Sequence, residues 1–132
     1  MELKTTMCDT PVKITSYNCR GLSIHRNVQS VKNNILKIIS ERSDIVLLQE
    51  TWLFKHDLSK LNQFLPNFYG TGVSTTNAAD GIPSGHPPGG VAVLWRRELN
   101  KVVKPLNLGY DWLSGMSIIN DDGNTSLTSL IH

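Results

Sequence analysis

Three segments near the start of the chain restrict its fold more than any other feature. Val12-Lys13-Ile14-Thr15-Ser16-Tyr17-Asn18 alternates, with Val12, Ile14 and Ser16 on one face and Lys13, Thr15 and Tyr17 on the other. That is the pattern of a strand with one strongly apolar side. Apolar residues then recur at Val28, Val31, Ile35, Ile38 and Ile39, the spacing of an amphipathic helix. Asn27 is a candidate N-cap, and Lys32, Asn33, Lys37 and Glu41 are expected to face water. Ile45-Val46-Leu47-Leu48 is apolar at every position, as in a strand covered on both faces. Strand, helix and strand within about forty residues is the βαβ plan, with parallel strands and a right-handed crossover. Parallel strands end at one sheet edge. Asn18, closing the first strand, and Glu50, closing the second, are therefore expected at the same edge. In open α/β architectures ligands and metals bind at such edges.

The remaining segments are shorter. Residues 1–10 read as a loose leader, and residues 11–132 as one unit whose 132-residue chain length suits a single domain. Leu58, Leu61, Phe64 and Leu65, stopped by Pro66, suggest a short helix, and Tyr69 to Val73 a strand. Ser74 to Gly90, rich in Gly and Pro, reads as a long surface loop. Strands are expected at Gly90 to Trp95, Lys101 to Val103, Gly115 to Asn120 and Thr125 to Ile131. Asp122-Gly123 is a hairpin signal between the last two.

Composition narrows the function classes. The net charge is +2, and Lys and Arg form no run, so charge alone does not argue for nucleic acid. Two cysteines, Cys8 and Cys19, have neither metal nor redox spacing and make no disulfide scaffold. The start lacks the apolar stretch of a signal peptide, and the longest apolar run, Val91 to Trp95, is too short to span a bilayer. The expectation is a soluble, intracellular chain with no membrane partner. His25, His56 and His86 show no ligand spacing and receive no role.

Three motifs carry a resemblance: Ile14-Thr15-Ser16-Tyr17-Asn18-Cys19-Arg20-Gly21-Leu22, Asp44-Ile45-Val46-Leu47-Leu48-Gln49-Glu50-Thr51-Trp52 and Gly89-Gly90-Val91-Ala92-Val93-Leu94-Trp95. In phrasing, order and spacing they resemble the endonuclease/exonuclease/phosphatase, or DNase I-like, superfamily. They are most similar to the endonuclease domain of non-LTR retrotransposons. The resemblance implies a four-layered α/β sandwich of mixed sheets with flanking helices, of which this chain would be the N-terminal part. It implies a divalent ion, Mg²⁺ or another such as Mn²⁺, held by Glu50 with help from Asn18, no small-molecule cofactor, and DNA as the partner of the complete domain. A retrotransposon endonuclease would be nuclear. It would nick DNA to leave a 3′-hydroxyl that primes reverse transcription. Some members carry a second acid two positions after the asparagine; here that position is Arg20.

The chemistry suits those roles. Mg²⁺ takes oxygen ligands and keeps several waters, so one or two carboxylates plus a substrate phosphate suffice. Asn18 can donate a hydrogen bond to phosphate or orient Glu50, but it is no base at neutral pH. The family's later motifs, a GDFN-like turn and an SDH-like triplet, do not occur in the sequence. Two further readings therefore stand beside the enzyme: an inactive remnant, or a nucleic-acid or protein binding module. A chain ending as the first sheet hands over to the second would leave the inner face of that sheet exposed. Gln49 is expected to hydrogen-bond within the core, and Trp52 and Trp95 to pack.

Overall fold

The computed structural model of the chain describes residues 2–7, 10–22, 31–74, 89–106, 113–119 and 125–131. The alternating segment forms strand β2 (Thr10–Asn18), and the apolar run forms β3 (Ile45–Gln49). They pair in parallel, with Ile14 opposite Ile45 and Asn18 opposite Gln49. Helix α1 (Val31–Arg42) supplies the crossover. Asp44 fixes the register. Its carboxylate accepts the Lys13 N–H at 2.9 Å, and its own N–H donates to Lys13 O at 2.8 Å.

Residues 1–10 are not simply a leader. Glu2–Met7 forms β1, antiparallel to β2 with Leu3 opposite Ile14. An edge strand beside β2 gives that strand's second row of backbone groups a partner, which satisfies buried polar groups without requiring an apolar pattern of its own. The sheet continues through β4 (Phe68–Val73) and β5 (Val91–Arg96), in the order β1-β2-β3-β5-β4, with β3/β5 and β5/β4 antiparallel. A second, antiparallel sheet holds β6 (Val103–Leu106), β7 (Leu113–Ile119) and β8 (Thr125–Ile131), in that order. Lys101 and Val102 belong to a turn, not to the strand expected from Lys101. The hairpin signal Asp122-Gly123 and the Ser74–Gly90 loop between residues 75 and 88 lie outside the described residues, as do Asn27, Val28, His25 and His86.

The first sheet is buried on both faces. On one, Val12, Ile14, Ile45, Leu47, Val91, Val93 and Trp95 pack with Val103, Met116 and Ile118 of the second sheet. The inner face expected to be exposed is therefore covered here. On the other face Val46, Leu48, Ala92 and Leu94 pack with Leu36, Leu53, Leu61, Leu65 and Phe68. The alternation within β3 and β5 assigns odd and even positions to these two layers.

The helix faces inward differently from expectation. Leu36 is fully buried, and Ser40 is buried one turn on, whereas Ile38 is 52% exposed. At about 100° per residue, Ile38 lies on the side of α1 away from Leu36, so Leu36, Ile39 and Ser40 form the stripe that meets the sheet. The second expected helix is a 3-10 helix over Lys55–Gln63. Its repeat of three lines up Leu58 and Leu61, with Phe64 just beyond. It approaches β4 closely: a Cβ added at Gly70 would lie 2.8 Å from Leu61 O. Among the described residues no helix is long and apolar enough to cross a membrane.

Candidate functional site

β2 ends in a turn built by its own last side chain. Asn18 Oδ1 accepts the Arg20 N–H at 3.2 Å, an Asx-type turn. Arg20 (φ 45°) and Gly21 (φ 97°) then take the left-handed region, and the chain runs back beside the end of β3. Asn18 shares a face of the sheet with Val12, Ile14 and Ser16, and its side chain is exposed. The Arg20 side chain is also exposed.

β3 ends with a change of backbone. Gln49 still belongs to the sheet, and its Nε2 donates to Ser16 Oγ at 2.9 Å, as expected of a polar residue turned toward the core. Glu50 leaves the strand with φ 51° and is half-buried. Thr51 is fully buried and Trp52 again has φ 55°. Residues 50–52 are held from two sides. From the β2 side, Gly21 N–H donates to Glu50 O at 2.7 Å and Leu22 N–H to Thr51 O at 2.9 Å. From the β5 side, Gly90 O accepts the Thr51 N–H at 3.2 Å and Gly89 O accepts the Trp52 N–H at 2.9 Å. Cys19 is buried and its thiol donates to Gln49 O at 3.1 Å, a packing role.

The sheet thus brings Asn18 and Glu50 to one edge, one residue apart across a parallel pair. Trp95 packs as expected, and His56, which received no role, has partners of its own. Trp95 is a core residue whose Nε1–H donates to Asn100 Oδ1 at 3.2 Å, at the opposite end of β5. His56 stacks on Phe54 and lies 3.5 Å from the buried carboxylate of Asp57. Asp57 also accepts Lys60 Nζ at 3.1 Å.

Among the described residues, no group of three or more His, Cys, Asp and Glu side chains is arranged to hold a metal. The donor set at the edge is one carboxylate and one amide. It suits a hard ion that keeps waters and takes further oxygens from a phosphate, and it is no all-protein cage. Asn18 spends one lone pair of Oδ1 on the turn, so its NH₂ group is the end best placed to serve a phosphate oxygen. Gly21, Thr51 and Gly90 lie within the three motifs, but their residue types alone indicate no role. Gly89-Gly90 ahead of an apolar strand was the one visible signal, because paired glycines allow close backbone approach.

The endonuclease/exonuclease/phosphatase family model matches residues 15–132. Comparison with curated proteins finds no match. Among solved structures, the chain is similar to the human Nocturnin catalytic domain with bound sulfate anion. The TM-score is 0.56 at 13% identity, over 97% of this chain and 51% of that one. The chain therefore spans about half the length of that structure. At this identity the likeness speaks for the fold, a DNase I-like α/β arrangement.

Proposed function

The chain belongs to the endonuclease/exonuclease/phosphatase family, and from that premise we propose that its strand-end edge is part of a divalent-metal-dependent phosphodiesterase site. Glu50 is the metal-binding carboxylate. Asn18 positions the phosphate, or assists the ligand set, through its amide. The observation that supports this reading is the placement of Asn18, opposite Gln49, and of Glu50, the next residue, whose backbone is hydrogen-bonded, at the ends of two parallel strands. The family generally uses divalent metals, and Mg²⁺ or Mn²⁺ is proposed here.

When bound, the ion would offset charge building on the phosphate and on the leaving oxygen. The chain's own contribution is placement. Glu50 presents oxygen ligands from a fixed backbone. Asn18 donates to a phosphate oxygen while its carbonyl end keeps the turn closed. DNA is the proposed substrate and nicking of retrotransposon type the proposed activity, supported by the three motifs around Asn18, Glu50 and Gly90. A nuclear location follows from that proposal.

The test is Mn²⁺ binding by the 132-residue chain, read by loss of the free-ion paramagnetic resonance signal, alongside nicking of supercoiled plasmid. Glu50→Gln keeps the shape and removes the charge. It should weaken Mn²⁺ binding by about tenfold or more and abolish any metal-dependent nicking. Unchanged Mn²⁺ affinity in folded E50Q would remove Glu50 from the ligand set. Plasmid retention that ignores metal and weakens steeply with salt would instead favour a binding module.

A further inference from the structure

Glu50 leaves its strand in a left-handed conformation that a glutamate keeps only where its surroundings hold it. Those surroundings converge on Thr51. Its N–H and C=O are each committed, to Gly90 O and to the Leu22 N–H. Its side chain is fully buried, and its Oγ1 has no hydrogen-bond partner among the described residues. The hydroxyl is therefore held by shape. The surface it meets is Gly90, where an added Cβ would lie 2.5 Å from Thr51 Oγ1, 3.6 Å from Val73 O and 3.7 Å from Trp52 N. Gly90 has φ 91° and cannot swing aside, because β5 begins at the next residue with Val91 paired to Gln49. On the far side, a Cβ at Gly21 would lie 2.4 Å from the Trp52 ring, so residues 50–52 have little room in that direction either.

We propose that Gly90 and Thr51 are positioning residues for the Glu50 carboxylate. The missing Cβ of one receives the hydroxyl of the other, and this contact stops the Glu50–Trp52 segment at the position from which Glu50 presents its oxygens to a divalent ion. The proposal rests on the reading of Glu50 as a metal ligand. It adds that Mn²⁺ affinity depends on a contact that touches neither the ion nor the carboxylate.

A mutant cycle on the whole chain tests it, with Mn²⁺ affinity from paramagnetic resonance and the folded fraction from thermal unfolding followed by circular dichroism. Gly90→Ala pushes Thr51 out of place. Thr51→Ala removes the stop. The double variant G90A/T51A moves a carbon into the space the hydroxyl left. Each single variant should bind Mn²⁺ about tenfold more weakly than wild type, at temperatures where it is fully folded. The double variant is relieved of the collision but not of the strain of an alanine at φ 91°, so it should bind more tightly than G90A without reaching wild type. Should G90A fail to fold, T51A and the double variant carry the comparison. Single variants that lower the thermal midpoint but bind Mn²⁺ like wild type would overturn the proposal, and so would a double variant that binds no more tightly than G90A, which shares its backbone strain. E50Q run in parallel separates the two levels. If E50Q or the wild type shows no Glu50-dependent binding, the ligand assignment itself falls, and the positioning role with it.

Discussion

Thr51 buries a hydroxyl that has no partner among the described residues. A buried hydroxyl without a partner loses its hydrogen bonds to water and regains none, about 1–3 kcal/mol. Thr51→Val replaces that hydroxyl by a methyl of nearly the same shape. The variant should be more stable by about 1 kcal/mol in urea unfolding; a loss of similar size would mean that the hydroxyl is satisfied by ordered water. At this scale the sequence is legible only in part. Asn18 and Glu50 stand out because each is the polar residue that closes an apolar strand. The left-handed φ values of Glu50 and Trp52 leave no such trace. They arise from hydrogen bonds to Gly21, Leu22, Gly89 and Gly90, partners about thirty to forty residues away that only a finished sheet brings together.

Among the elements, α1 packs on the sheet through Leu36 and Ile39, and one side chain of β5 ties down its C-terminal end. Arg96, the last residue of β5, donates from Nε to Ser43 O at 2.9 Å and from Nη2 to Ser40 O at 2.9 Å. It pairs with Asp44 at 3.3 Å and stacks its guanidinium over Phe68. A helix leaves its last carbonyls without internal partners, and a forked cation is well suited to take them. Arg96→Ala should cost about 1–3 kcal/mol and Arg96→Lys less. Hydrogen exchange should show α1 opening first in the alanine variant. Equal protection of α1 in wild type and R96A would deny the arginine this role. The helix itself is legible from its periodicity, yet that spacing puts Ile38 inward and leaves out Leu36, the reverse of what burial shows. A run with apolar residues at 35, 36, 38 and 39 supports more than one stripe, and only the docked sheet selects the one centred on Leu36. The strands were more legible, because continuous burial of Ile45–Leu48 and Val91–Trp95 leaves a run of apolar residues that turns do not share. β1 leaves no such run, because backbone pairing, not an apolar pattern, recruits it.

The whole molecule is held by the layer between its two sheets. Met116 and Ile118 from β7 and Val103 from β6 close over Val12, Ile14, Ile45, Leu47, Val91, Val93 and Trp95. Met116→Ala should lower stability by about 2–5 kcal/mol. It should do so within one transition shared by tryptophan fluorescence and far-ultraviolet circular dichroism. Two separated transitions would show that the second sheet folds independently of the first. The α/β class and the parallel pair could be read from residues 12–48, since a crossover of this length has few alternatives. That the hairpin strands stack on the first sheet could not, because short alternating strands look alike wherever they pack. The order β1-β2-β3-β5-β4 also dictates a sequence of events at synthesis. β4 emerges before β5, yet its sheet neighbour is β5 and β5 is what joins it to β3. A nascent chain that has passed Val73 but not Arg96 therefore carries a strand that has its 3-10 helix beside it but no sheet partner. The β3/β5 pairing that closes the sheet comes late and joins residues distant in sequence, the condition under which folding is slow and a growing chain benefits from being shielded until it is complete.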